Sequence, residues 1–318
     1  MPPKPVTPIC PKCGYDQSGD IASWKNQCPT AGTCSECGLE FQWANIFDPT
    51  RTHLAWYTEH TRSLFKLITK TPATLLNLIL PHRFWRAADI TKATHPWRLV
   101  FWVIFTMVMT HLLVSIPNGI NIWYDQNWNQ RTILQHYQMY GAYGIADVIF
   151  DGIAYPYYHA LPEPYTHKWS LYFERGWSDA WYETFFEVIN FQLGFLLFWL
   201  LILFAIPTTK KQTKIRHAHV IRAAALSVLI VFLSFQCSRL LRIMPYFTGP
   251  KFDIFWQLDR WVVPAAVLWQ IIFWSCAIKI GWKVKHWKSL VILGTTAALL
   301  GGKALSMYGF LLNQSLNQ

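Results

Sequence analysis

Charged side chains are scarce in this sequence of 318 residues. Only 14% of its residues are charged, whereas a soluble domain has roughly 25%. Acidic residues are the scarcest of these, with 17 against 28 basic ones. Hydrophobic residues make up 53% of the chain, which is more than a soluble fold of this length needs to bury. The composition therefore excludes an ordinary soluble domain and favours a membrane protein.

The common enzyme motifs are also missing. The sequence has no nucleophile elbow, no dinucleotide-binding fingerprint, no HExxH motif and no paired catalytic carboxylates. Gly302-Lys303 looks like the end of a phosphate-binding loop, but Ala297 and Ala304 stand where that loop needs Gly and Ser or Thr. We therefore predict no catalytic and no cofactor-binding residue, and an enzymatic role is not favoured.

The first residues, MPPKPVTP, lack the apolar core of a cleavable signal peptide, so we expect the first apolar run to act as the targeting signal. A net charge of +11 raises the question of nucleic acid. The basic residues lie beside apolar runs, however, and do not form one basic module. We therefore expect no nucleic-acid partner.

Five apolar runs are long enough to cross a bilayer, whose hydrocarbon core of roughly 30 Å needs about twenty helical residues. The predicted spans are 97–116, 188–206, 219–237, 261–280 and 290–312. The first is bounded by Pro96 and Pro117. These runs predict an all-α polytopic membrane protein with five transmembrane helices, surrounded by the lipid bilayer.

Basic residues without acidic neighbours mark two of the short loops. They are Lys210, Lys211, Lys214 and Arg216 before the third run, and Lys279, Lys283, Lys285 and Lys288 between the fourth and fifth. By the positive-inside rule both loops are cytoplasmic. This orientation predicts a multi-pass protein of the inner cell membrane with a cytoplasmic N-terminus. The C-terminus and the aromatic segment 117–184 then lie outside.

Two CxxCG repeats form the most specific pattern in the chain. Their cysteines are Cys10, Cys13, Cys34 and Cys37, and the glycine that ends each repeat permits a tight turn. Four thiolates form a tetrahedral site for zinc and leave no coordination position open, so we predict a structural Zn²⁺. A reducing cytosol favours thiolates over disulfides there. Cys28 is expected to be a free thiol rather than a ligand.

The stretch from Cys10 to Gly38, continuing into Leu39-Glu40-Phe41, resembles the rubredoxin-type zinc ribbon. The run Cys-Pro-Lys-Cys-Gly-Tyr-Asp resembles the ribbon at the head of many bacterial integral-membrane proteins. The resemblance covers about a tenth of the chain and implies zinc on the four cysteines, but no activity. An insert, 18–33, departs from the usual ribbon. The short segment Pro81 to Trp85 before five spans also resembles the Yip1 family of membrane proteins.

We divide the chain into a cytoplasmic zinc β-ribbon, 1–48, an interfacial layer, 49–96, and a membrane domain, 97–312. The interfacial layer has apolar residues at helical spacing with lysines on the other face. We expect this amphipathic helix to be interrupted near Pro72 and again at Pro81. It lies either on an anionic membrane surface or against the ribbon or the bundle.

Several polar residues lie in or near the predicted spans, namely His111, Glu187, Gln192, Gln236, Arg239, Arg242, Gln270 and Lys303. We expect Glu187, Arg239 and Arg242 to reach the membrane interface. The run 216–219 reads as a solvated basic loop end. His159, Glu163 and His167 are spaced like metal ligands on a helix, but Pro162 and Pro164 favour a solvated loop. Gly294, Ala298 and Gly302 predict a face on which another helix packs.

Three functions are compatible with these patterns. The preferred one is a scaffold or membrane-organising protein whose ribbon binds a protein partner. The second is a transporter or channel component that uses the polar groups of the outer half. The third is a membrane enzyme that acts on lipid through segment 117–184. A homo-oligomer is compatible with each of them.

Overall fold

The computed structural model describes residues 7–61, 63–128, 153, 178–205, 214–248 and 254–316. The chain divides into two compact units. The first unit comprises Met1–Ile104, Gly194–Val228 and Leu268–Gly302. The second comprises Phe105–Leu193, Leu229–Val267 and Lys303–Gln318. Helices make up most of the described residues.

The ribbon contains short elements only. Helix α1 covers Ser18–Ala22, strands β1 and β2 cover Ala31–Thr33 and Glu40–Gln42, and helix α2 covers Trp43–Phe47. The two strands pair antiparallel, with Gly32 opposite Phe41. The insert 18–33, which departs from the usual ribbon, therefore contains α1 and β1.

Two short 3₁₀ turns, Pro49–Thr52 and Thr58–His60, lead from the ribbon to helices α3, Leu64–Ile79, and α4, Pro81–Ala87. The expected break at Pro81 is confirmed. The expected interruption near Pro72 is wrong, because α3 runs through it. Pro72 removes one backbone hydrogen bond, but burial of Leu67, Thr74 and Leu78 on one face holds the helix on both sides of it.

Five long helices follow. They are α5, Pro96–Trp128, α6, Ser178–Ala205, α7, His217–Thr248, α8, Ile254–Cys276, and α9, Trp287–Leu316. Helix α8 continues as one π-helical turn, Ala277–Gly281. The predicted end of the first span at Pro117 is not the end of α5, which passes through this residue, since transmembrane helices tolerate an internal proline.

Four of these helices contain segments long and apolar enough to cross a membrane: Pro96–Pro117, His217–Arg242, Gln257–Gly281 and Trp287–Tyr308. They indicate a membrane protein. The predicted span 188–206 falls in α6, where the apolar part among the described residues, Asn190–Leu203, is shorter. The count of five spans therefore stays a prediction.

Tryptophans form the core of the first unit. Trp199 of α6 stacks on Trp274 of α8, with ring centroids 5.5 Å apart, and Trp274 meets Trp282 edge to face. Trp85 of α4 packs against Phe273 and Trp282. These contacts join the interfacial layer to the long helices through aromatic burial.

Small residues of α9 leave room for aromatic rings of α6. A side chain at Gly294 would place its Cβ 2.4 Å from the Trp199 ring, and one at Gly301 would lie 2.1 Å from Phe198. Ala298 is fully buried. The predicted packing face is thus confirmed at Gly294 and Ala298, and Gly301 adds to it.

Candidate metal centre

The four predicted ligand cysteines lie together. Their sulfur atoms are all within 4.8 Å of one another, and the pairs Cys10–Cys37 and Cys13–Cys34 have Sγ atoms 3.6 Å apart. A tetrahedral site with Zn–S bonds of about 2.3 Å has sulfur atoms about 3.8 Å apart. A disulfide would bring them to about 2.05 Å, and none is formed. The arrangement therefore suits a metal ion.

The two knuckles have the same backbone geometry. In the first, Gly14 N–H donates to Cys10 O at 2.9 Å and Cys10 N–H to Tyr15 O at 2.8 Å. In the second, Gly38 and Cys34 repeat both bonds at 2.9 Å. Gly14 and Gly38 have φ of +80° and +65°, a conformation that favours glycine. The glycine that ends each CxxCG repeat is therefore required by the turn.

The pKa values of the cysteine thiols are shifted in different directions by their surroundings. Burial raises the pKa of Cys37 to about 11, and it also raises the pKa of Cys10. Burial acts the same way on Cys34, but the backbone N–H groups of Cys37 and Glu36 lower its pKa overall. The buried Gln17 donates its Nε2 to Cys34 Sγ at 3.3 Å, a contact outside the ligand set that orients this sulfur. A bound cation would compensate the negative charge that the thiolates of Cys10 and Cys37 carry when they bind metal.

An aromatic cluster supports the site. Trp43 meets Trp24 at 4.7 Å and Phe41 at 5.0 Å, both edge to face. A Cβ at Gly32 would lie 2.7 Å from Trp43 Nε1, so this glycine lets the indole lie against β1. Trp24 comes from the insert. Cys28 is exposed and lies outside the four-sulfur cluster, as expected.

The first knuckle is held by the segment that begins α7. Arg216 N–H donates to Lys12 O at 2.8 Å, and His219 Nε2 lies 2.9 Å from Pro11 O. The Arg216 side chain also lies against Gly14. The prediction that 216–219 is a solvated loop end is wrong for His219, which is only 1% exposed. Docking of the ribbon excludes water from it.

The second knuckle contacts the same segment. Lys214 Nζ lies 2.8 Å from Glu36 Oε2 and also donates to Glu36 O. Because both partners are partly exposed, this ion pair contributes little to stability, but it adds a second attachment point. The segment 214–219 therefore holds both halves of the candidate metal centre.

A buried ion pair joins the interfacial layer to α7. Arg222 Nε lies 2.8 Å from Glu59 Oε2, and both side chains are fully buried. Arg222 also donates to Ala93 O at 2.8 Å, and Glu59 Oε1 accepts from His95 N–H at 2.5 Å. Burial alone would raise the pKa of Glu59, but the Arg222 guanidinium lowers it overall. Sequence reasoning missed this pair.

The second unit contains its own polar contacts. Arg239 is 6% exposed, and its guanidinium lies 3.1 Å from His111 Nδ1 and 3.2 Å from Gln236 Oε1. Arg242 pairs with Asp259 at 2.5 Å. Arg239 and Arg242 thus have polar partners inside this unit. Because Arg242 is the last residue of the apolar segment His217–Arg242, the expectation that both reach the membrane interface stays a prediction.

The remaining predicted polar residues have different environments. Gln192 and Gln270 are buried, and Lys303 is exposed. The Glu187 side chain, the trio His159, Glu163 and His167, and nearly all of segment 117–184 beyond α5 lie outside the described residues.

No protein-family model matches the chain, and no match was found among curated proteins or among solved structures. The resemblance to the Yip1 family accordingly stays a prediction. The four-cysteine cluster is consistent with the zinc-ribbon resemblance on geometric grounds.

Proposed function

We propose that this chain is an integral membrane protein whose N-terminal ribbon holds a structural zinc ion and acts as a protein-interaction platform fixed to the membrane helices. The observation that carries the proposal is the attachment of both knuckles to segment 214–219. Four thiolates close the coordination sphere of zinc, so the ion organises the ribbon and leaves no position for a substrate.

The same contacts support a five-span topology. Ribbon and interfacial layer precede α5, yet they contact the start of α7 through His219 and Arg222. The chain between the interfacial layer and the start of α7 therefore begins and ends on the same side of the membrane. If α5 crosses the membrane once, the chain must cross back before residue 214. Helix α6 is the candidate for this second crossing, with Asn190–Leu203 as its apolar part among the described residues.

The loop between α8 and α9 lies on that side too. Ile90 N–H donates to Gly281 O at 2.9 Å, and Asp89 lies 3.5 Å from Lys283 Nζ. Both lysine-rich loops thus lie on the same side of the membrane as the ribbon. By the positive-inside rule this is the cytoplasmic side of the inner membrane. The C-terminus then lies outside.

The ribbon offers a partner a rigid surface. The run 25–30 is exposed throughout, and among the described residues the β1–β2 sheet has two strands, so each strand has an edge that no other described strand pairs with. An extended peptide can pair with such an edge. Because β1 and β2 are short, their register depends on the second knuckle, which connects them.

Metal-dependent co-purification tests the proposal. The full chain is isolated in mild detergent after cross-linking in membranes, beside Cys34→Ser and the control Cys28→Ser. We expect a protein partner to be recovered with wild type and with Cys28→Ser, but lost with Cys34→Ser. Recovery of the same partner with all three chains would contradict a role for the metal-organised ribbon.

A transport function is the second candidate, and the buried contacts of Arg239 with His111 and Gln236 favour it. Buried charge within a span often marks an ion pathway. Proteoliposomes that enclose a pH-sensitive dye test for proton flux. Flux that is lost in Arg239→Gln but kept in Cys34→Ser would support this candidate over the scaffold.

A further inference from the structure

A cleft of about 430 Å³ lies where α3 begins beside the start of α5. All its lining residues belong to the first unit. Its apolar side includes Leu64 of α3 and Trp97 and Phe101 of α5. Its polar side includes Thr58, Ser63 and Arg98. The cleft is therefore amphipathic.

The polar side favours an anion. The first hydrogen bond of α3 runs from Leu67 N–H to Ser63 O at 2.9 Å, so the N–H groups of the three residues before Leu67 have no acceptor within the helix. The Ser63 side chain makes no capping hydrogen bond. The positive end of a 16-residue helix thus faces a cleft that Arg98 also lines.

Two side chains here lack partners among the described residues. The Arg98 guanidinium makes no hydrogen bond or ion pair within the described part of the chain, although its backbone N–H donates to His95 O. Thr58 is 1% exposed, and its hydroxyl has no hydrogen-bond partner among these residues. A buried hydroxyl normally finds a partner. A ligand in the cleft would provide one.

The apolar side places this ligand at the membrane. Trp97 is 79% exposed and Phe101 53% exposed, and both lie in the first turns of the apolar segment Pro96–Pro117. Phe65, at the start of α3, is 75% exposed. Arg98 lies at the same level, where a bilayer has its phosphate groups.

We propose that the cleft binds the phosphate of a phospholipid headgroup, with the acyl chains against Trp97 and Phe101. Arg98 and the first N–H groups of α3 contact the phosphate oxygens, and the Thr58 hydroxyl donates to one of them. The exposed apolar face of α3 then lies in the same lipid layer. This site is independent of the zinc and partner proposals.

Native mass spectrometry of the full chain in detergent tests the site. The probes are phosphatidylglycerol, diacylglycerol with the same acyl chains, and inorganic phosphate. We expect phosphatidylglycerol to bind and the other two not to. Arg98→Gln should weaken binding about tenfold, as expected for loss of a charge-assisted contact, and Arg98→Lys should restore part of it. Lys70→Gln removes the same charge from α3 outside the cleft and should bind like wild type.

Three results would overturn the proposal. Equal binding of diacylglycerol would show that the phosphate is not recognised. Binding of inorganic phosphate without lipid would assign the cleft to a free anion. Equal losses in Arg98→Gln and Lys70→Gln would indicate general electrostatic attraction. If Arg98→Gln fails to fold, Thr58→Val decides, because it removes only a hydroxyl: weaker lipid binding supports the site, and unchanged binding contradicts it.

Discussion

Arg222 Nε lies 2.8 Å from Glu59 Oε2, and neither side chain is accessible to solvent. The two residues are 163 positions apart, so the contact joins the interfacial layer to a membrane helix. Burial of each charge is tolerated because the opposite charge of the partner compensates it. The pair therefore specifies where α7 meets the layer that precedes the first span.

Removing one partner should destabilise the first unit strongly. Glu59→Gln leaves the Arg222 charge buried and uncompensated, which costs about 3–5 kcal/mol. The double variant Glu59→Leu/Arg222→Met should recover much of this loss, since a buried pair can often be replaced by apolar residues. Thermal unfolding in detergent measures both. Glu36→Gln, which breaks the exposed pair with Lys214, is the control and should change the midpoint little. A midpoint unchanged in Glu59→Gln would contradict the role of the pair.

Stability should fall as the pH falls through the weakly acidic range. His60 Nδ1 accepts from Leu54 N–H at 2.8 Å and its Nε2 lies 2.9 Å from Ala93 O, so the folded state uses the neutral ring. Burial lowers the pKa of His60 to about 4. The unfolded chain, with a His pKa of about 6.5, binds more protons below that pH. The contribution of His60 is thus complete above about pH 6.5 and is lost towards about pH 4.

Unfolding midpoints measured between pH 8 and pH 4.5 check this dependence. The lowered pKa of Glu59 extends the loss of stability to lower pH, because protonation removes its charge beside Arg222. His53 and His95 also face His60 and add to the slope. His60→Gln should flatten the curve, whereas the exposed His82→Gln should leave it unchanged. Equal slopes in all three chains would rule out His60 as the cause.

The purified chain should carry about one zinc ion, measured by plasma mass spectrometry. Cys34→Ser should lose the ion because three thiolates hold it less well than four. Cys28→Ser removes an exposed thiol outside the cluster and should retain it. Iron with rubredoxin-like absorption would replace zinc and indicate electron transfer. A protein without metal would contradict the ribbon assignment.

Glycine at 294 should be necessary for helix packing. Gly294→Ala would bring a Cβ to 2.4 Å from the Trp199 ring and should cost about 1–3 kcal/mol. Gly19→Ala is the matched control, since nothing lies within 4 Å of its added Cβ. It should be neutral or slightly stabilising, because alanine favours a helix over glycine. If both variants unfold at the same temperature, the close approach of Trp199 does not matter.

Topology is tested by cysteine labelling in intact cells. In a Cys28→Ser background, a membrane-impermeant maleimide should modify engineered cysteines at Ser178 and Gln318 but not at Ser18 or Gln212. Modification at Gln212 would overturn the five-span orientation.

The sequence predicted the features that depend on local pattern. The CxxCG spacing identified all four clustered cysteines, because two knuckles need only a few consecutive residues each. The apolar runs located four long helices for a similar reason. The effect of prolines on helix ends was predicted less accurately, since α5 continues through Pro117 and α3 continues through Pro72.

Contacts between distant segments were not visible in the sequence. Arg222 lies in an apolar run without an acidic residue at helical spacing, and Glu59 has the basic Arg62 three positions after it, so local spacing does not pair the two. His219 lies in a basic, polar stretch that is typical of a solvated loop, and its contact with Pro11 O is made by the docked ribbon. The same holds for Gln17, whose contact with Cys34 depends on the fold of the knuckle. Such pairs arise from tertiary packing, for which a single sequence has no periodic signal.

The His219 ring and the Pro11 carbonyl that it contacts are 208 positions apart. At translation rates of about 5–20 residues per second, the ribosome completes the ribbon roughly 8 to 34 seconds before it reaches the start of α7. The four cysteines are therefore available to a metal ion while the first long helices are still being synthesised. Docking has to wait for segment 214–219, so metal capture precedes the step that brings the two ends of this long stretch together. A shortage of that metal during synthesis would accordingly act on a nascent chain, before its long helices are complete.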